Sequence, residues 1–135
     1  MKRLTPLLTV EEIEPCLPFW TEKLGFEVTV TVPHGDLVGF AILQKGDVEV
    51  MYQSRASIEA DLRTSGAPKD LGRELSASTA TLFMEVESLD DVIGKLGNEV
   101  EVLVPRRQTF YGMDEIFVRP PCGTVVGFAA RVEEQ

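Results

Sequence analysis

The hydrophobic pattern of the chain alternates between a period of two and a helical period. Residues 26–32 (FEVTVTV) alternate apolar and polar positions, which predicts a half-buried strand. Residues 37–44 (LVGFAILQ) and 48–53 (VEVMYQ) read as two further strands, joined by the tight turn Lys45-Gly46-Asp47. Ahead of them, residues 4–10 (LTPLLTV) form a first strand, with Pro6 marking an edge or a bulge. Between these, Ile13, Leu17, Trp20 and Leu24 recur at helical spacing. Pro15 and Pro18 suit only a first turn, so the predicted helix is short, 15–24, and Gly25 stops it.

The same succession returns after residue 78. Residues 79–87 (TATLFMEVE) predict a strand, and Ser88 caps a helix with Asp91 three residues on. Leu89, Val92, Ile93 and Leu96 form that helix's stripe, which Gly97 ends. Residues 99–104 are a strand, and residues 110–118 and 124–131 are two more around the turn Pro120-Pro121-Cys122-Gly123. The intervening segment 54–78 is polar and carries Gly66, Pro68 and Gly72. It reads as a connector, with one or two helical turns over 57–63 capped by Ser57, and its length suggests that it covers something.

The order β-α-β-β-β therefore occurs twice. This predicts an α+β fold in which two βαβββ modules, 1–53 and 79–135, are joined by connector 54–78 in a single domain, 1–135. Each module would be a four-stranded sheet with one helix on one face. Two such sheets would curve around a cleft, and a homodimer would complete it.

Charge narrows the functional classes. Thirteen Lys and Arg against 22 Asp and Glu give a net charge of −9, which disfavours nucleic-acid binding and is compatible with a cationic ligand. No run approaches the ~20 apolar residues of a membrane span, and MKRLTPLLTVEE is a poor signal peptide, so a cytoplasmic protein is expected. Two cysteines, Cys16 and Cys122, make no disulfide framework, and Cys122 in its turn is expected to be an exposed thiol without activating neighbours. The one histidine, His34, falls in a predicted loop, and Arg106-Arg107 read as a solvated loop before the last hairpin.

PFWTEKLGFEV, FAILQKGDVEVMY, LFMEVESLDDV and FYGMDEIFVRPPCGTVVGF, in that order on this repeat, resemble the vicinal oxygen chelate superfamily. That superfamily includes glyoxalase I, bleomycin-resistance proteins, extradiol dioxygenases and fosfomycin-resistance enzymes. FAILQKGDVEVMY looks most like the bleomycin-resistance branch, whose members bind a cationic glycopeptide in crevices of a homodimer without a catalytic metal. By the same resemblance, the metal-ligand positions of the metal-dependent members fall at Thr5, Glu49, Thr81 and Gly127. Only Glu49 keeps a ligand type, so no metal site and no cofactor are expected.

If Glu49 marks the cleft face, alternation places Met51 beside it, with Thr5, Leu7 and Thr9 on the first strand and Thr81, Phe83 and Glu85 on the fifth. Tyr111 and Met113 stand at a bend made by Gly112 and would form an aromatic lip. The expected ligand cavity is thus Thr5, Leu7, Glu49, Met51, Thr81, Phe83, Glu85, Tyr111 and Met113, a mostly apolar wall with a few polar groups. Glu49 is the sole candidate catalytic residue, as a general base. The expected function is metal-independent binding of a small, cationic ligand, by resemblance sequestration of an antibiotic. The alternative is a lyase, isomerase or dioxygenase of the superfamily with a site rebuilt around Glu49, and a third reading is an interaction module whose cleft is filled by side chains.

Overall fold

The structure, a computed structural model, describes residues 2–77 and 80–132. The chain divides into two compact units, Met1–Ser78 and Thr79–Gln135.

In the first unit, strands β1 (Leu7–Val10), β2 (Glu27–His34), β3 (Leu37–Lys45) and β4 (Val48–Ser54) form one sheet in the order β1-β4-β3-β2. β1 runs parallel to β4, with Leu7 opposite Met51, and the other pairs are antiparallel. Alternation sorts β3 and β4. Ala41, Leu43, Val50 and Tyr52 are buried on one face, while Phe40, Ile42, Glu49 and Met51 are only partly covered on the other.

The buried face carries the core of this unit. The predicted helix 15–24 is irregular, a tight 3-10 turn Glu14–Cys16 leading into a wider π-helical turn Phe19–Lys23, because the prolines at 15 and 18 interrupt a regular α-helix. Its stripe nevertheless packs as expected. Trp20 is fully buried, lies edge-on to Phe19 and Phe26, and donates from Nε1 to the Tyr52 hydroxyl at 2.9 Å. That bond satisfies a buried polar group on each side. Gly25 ends the segment at φ +76°, a conformation natural only to glycine.

Three local expectations change. β2 has the predicted alternation, yet all eight of its residues are exposed, because it is the edge of the sheet rather than a half-buried strand. Helix α1 (Arg55–Leu62) begins sooner than expected, with Ser54, not Ser57, as its cap: the Ser57 backbone N–H donates to Ser54 Oγ at 3.2 Å. The connector also holds a second helix, α2 (Leu71–Ala77), which its glycines hide from periodicity. Gly72 is buried, and a Cβ there would meet Glu59 at 2.6 Å.

In the second unit, β5 (Thr81–Glu85), β6 (Glu101–Gln108), β7 (Met113–Arg119) and β8 (Val125–Arg131) repeat the arrangement as β5-β8-β7-β6, again with a parallel β5–β8 pair. Helix α3 (Leu89–Leu96) follows β5 and lies against β8, burying Leu89 and Leu96. Its cap is as predicted: the Asp91 N–H donates to Ser88 Oγ at 3.2 Å, and Gly97 closes the helix at φ +63°. Ile116, Val118, Val126 and Phe128 form the buried core face. The opposite, open face carries Phe83, Glu85, Glu115, Phe117, Gly127 and Ala129.

Thr79, expected in this first strand, lies outside the described residues. The reading of the cysteines as free thiols is corrected, since no described cysteine is free. No described helix is long and apolar enough to cross a membrane.

Candidate functional site

The first unit brings Thr5, Leu7, Glu49 and Met51 to one face. Parallel pairing sets Leu7 opposite Met51, and Thr5, two residues earlier, reaches Glu49. Thr5 Oγ1 donates to Glu49 Oε1 at 3.2 Å, and Arg3 Nη1 donates to Oε2 at 3.1 Å. The Glu49 side chain is 16% exposed, so it is largely enclosed by these donors and the sheet. Both oxygens already hold a partner, and an incoming group must compete with them.

The second unit brings Thr81, Phe83, Glu85, Tyr111 and Met113 to its open face or the rim of it. Thr81 is exposed opposite Val125. Phe83 stands opposite Gly127 and is 52% exposed, with its ring 6.1 Å from that of Phe117 at a 42° tilt. Glu85, opposite Ala129, meets Arg131 at 3.3 Å. Met113 is buried opposite Arg131. Tyr111, on the β6–β7 turn, is 54% exposed and packs edge-on against the fully exposed Phe110.

One residue at this face is absent from the set expected from sequence. Glu115, in the middle of β7, is completely buried. The Tyr111 hydroxyl lies 3.1 and 3.0 Å from its two oxygens, and Arg107 donates from Nε and Nη2 to Oε1 at 3.3 and 3.2 Å. The sequence signal was parity: Met113, Glu115 and Phe117 alternate on one face of a strand.

The arginines expected in a solvated loop are instead consecutive residues of β6. Arg107 faces Glu115 on the open side, while Arg106 bonds Asp114 at 2.8 Å and Asp90 of α3. The hydrogen bonds that Arg106 donates to Asp114, then to Asp90, raise its pKa further, so its charge is fixed. Each acid of interest, Glu49, Glu85 and Glu115, thus has an arginine beside it. The faces are less negative than the net charge suggests.

The donor set does not suit a metal of the type the resemblance raises. Thr5 and Glu49 are neighbours, but a hydroxyl, one carboxylate and a guanidinium make a poor cation site. In the second unit the expected positions Thr81 and Gly127 supply one hydroxyl and no side-chain donor, which is no ligand set for a metal. Among the described residues no group of three His, Cys, Asp or Glu is arranged to hold an ion.

The family model for the glyoxalase/bleomycin resistance protein/dioxygenase superfamily matches residues 3–128, which span both four-stranded sheets. The chain belongs to that superfamily. Solved superfamily-like folds extend over nearly its whole length. A glyoxalase/bleomycin resistance protein/dioxygenase from Nocardioides is 19% identical, with TM-score 0.69, covering 100% of this chain and 87% of that one. TioX from Micromonospora sp. ML1 is 14% identical, with TM-score 0.73, covering 98% and 100%. A lactoylglutathione lyase from Agrobacterium tumefaciens is 11% identical, with TM-score 0.73, covering 96% and 94%. At these identities the likeness is one of fold. No curated protein matches the chain.

Proposed function

We propose that this superfamily member binds a small aromatic, cationic compound without a metal and sequesters it, in the manner of bleomycin-resistance proteins. The observation that carries this reading is Phe83. A phenylalanine in the interior of a strand, half exposed beside the ring of Phe117, leaves apolar surface in water unless something covers it. A flat ligand stacked on Phe83 would recover that surface, and offset or tilted ring pairs add to the gain from burial alone. On the neighbouring strand the Phe117 ring covers Gly127, and the small Ala129 stands opposite Glu115.

Calorimetric titration of the protein with bleomycin and with a panel of aromatic cations tests the reading. Saturable binding that weakens in Phe83→Ala supports it. No saturable binding to any of them, or identical affinities in the Phe83 variant, overturns it.

A homodimer and a cytoplasmic location belong to the same proposal. Sedimentation checks the first. Cell fractionation checks the second, and one observation stands against it: no described cysteine is free, while disulfides are rare in a reducing cytosol.

A second reading, a superfamily enzyme rebuilt around Glu49, draws on the position of that carboxylate on an open face beside a hydroxyl and a guanidinium. It requires turnover of some substrate that Glu49→Gln abolishes while the fold survives.

A further inference from the structure

Glu115 is the most unusual polar residue of the second unit. It sits between Asp114 and Ile116 in the centre of β7, its side chain 1% exposed. Burying a carboxylate is costly unless strong donors fill its lone pairs. Here they are poorly filled. The single proton of the Tyr111 hydroxyl is shared between two oxygens at 3.0 and 3.1 Å, and both Arg107 contacts go to Oε1 at 3.2 and 3.3 Å. Charge-assisted bonds are usually shorter, about 2.5–2.7 Å for O–H donors and about 2.7–2.9 Å for N–H donors. Among the described residues Oε2 therefore receives only a divided, long hydrogen bond, although a carboxylate accepts about four.

The pair next door shows what a structural clamp looks like in this sheet. Arg106 reaches both oxygens of Asp114, at 2.8 Å from Nη2 and 3.2 Å from Nε, and also holds Asp90, whereas Arg107 reaches one oxygen of Glu115. The donors on Glu115 differ in a second way. Both belong to side chains more than half exposed, Arg107 at 59% and Tyr111 at 54%, the latter on a turn with Gly112 at φ +81°. The acid is fixed in a strand, and its cover is attached from outside.

We propose that Glu115 is the polar anchor of a ligand subsite, taking an amidinium or guanidinium group carried on an aromatic ring, with Tyr111 as the displaceable cover. A planar cation with two parallel N–H groups matches both oxygens at once, which neither present donor does. The ring of such a ligand would lie toward Phe117, which shares the open face of β7 with Glu115, and Phe83. This rests on the proposed function for its aromatic platform and adds the chemistry that selects the ligand.

The probes are benzamidine, its neutral isostere benzamide, and benzoate, titrated by calorimetry with melting curves for every variant. Benzamidine is expected to bind roughly tenfold or more tighter than benzamide, the ratio for a charge-assisted over a neutral hydrogen bond. Tyr111→Phe removes a competing donor and should tighten benzamidine more than benzamide, widening the preference. Glu115→Gln should abolish the preference.

Should the Glu115 variant not fold, the Tyr111 variant still decides. A purely structural Glu115 predicts no change, or weaker binding, on losing the hydroxyl, and either result overturns the subsite. Equal binding of benzamidine and benzamide, both weakened by Phe83→Ala, overturns the subsite and leaves the aromatic-binding function standing. No benzamidine binding to wild type or Tyr111→Phe also overturns the subsite, and the bleomycin titration then judges the function alone.

Discussion

The ring of Phe117 lies over Gly127, its partner across the β7–β8 pair. A Cβ added at residue 127 would come within 2.5 Å of Phe117 Cε1 and 2.9 Å of Cδ1 and Cζ. Glycine at this position is therefore a packing requirement. The resemblance puts a metal-ligating carboxylate of other superfamily members at 127, and here an aromatic ring holds that space.

Gly127→Ala should consequently destabilise the protein by about 1–3 kcal/mol, the usual cost of overpacking a filled site. Phe117→Leu in the same chain should restore part of the loss, because the clash is with the ring. Urea denaturation of the two single variants and the double variant measures the coupling. Additive effects would show that the ring is not the obstacle.

Tyr52 and Trp20 set the alkaline limit. Burial pushes the Tyr52 phenol up to about 12, partly offset by the bond from Trp20. A raised folded-state pKa keeps its stabilising effect below the unfolded value near 10 and loses it as pH climbs toward 12. Over that interval stability should fall by about 2–3 kcal/mol from this group, at 1.36 kcal/mol per pKa unit. Tyr52→Phe should flatten that part of the pH profile. At neutral pH it should cost about 1–3 kcal/mol by leaving the buried Trp20 N–H without its acceptor. Parallel urea titrations from pH 8 to about 12 would reveal both effects, and an unchanged alkaline slope in the variant would contradict them.

Ser88 is a helix cap for α3 with Asp90 and Asp91 in the first turn. Ser88→Ala should lower stability by about 1 kcal/mol, and Ser88→Asp should retain most of it. Equal losses for the two replacements would mean that the cap bond does not matter.

Metal addition is expected to leave the melting temperature unchanged. A site occupied at 100 times its dissociation constant adds about 2.7 kcal/mol, an effect a thermal-shift series with Zn²⁺, Ni²⁺ and Fe²⁺ cannot miss. A stabilising shift reversed by chelator would require ligands other than those at Thr5, Glu49, Thr81 and Gly127.

The sequence by itself determined the repeated βαβββ order, the pairs of strands around Gly46 and Gly123, the cap at Ser88 and the burial of Trp20. These follow from period, turn chemistry and caps, all of which act within a few residues. The family resemblance put Thr5 and Glu49 at neighbouring positions, and the structure joins them by a hydrogen bond. The tertiary structure alone decided what depends on partners far along the chain. β2 reads as half-buried but is an edge, because sheet order is set by strand pairing and not by the strand's own alternation. Arg106 and Arg107 read as a loop but lie in β6, where Arg107 stands opposite Glu115 and Arg106 reaches Asp114 through its side chain, an arrangement that β-bulges in β6 displace from any simple count. Glu115 has the right parity in the sequence. Its burial and its two loose donors arise only when β6, the turn at Tyr111 and β7 come together.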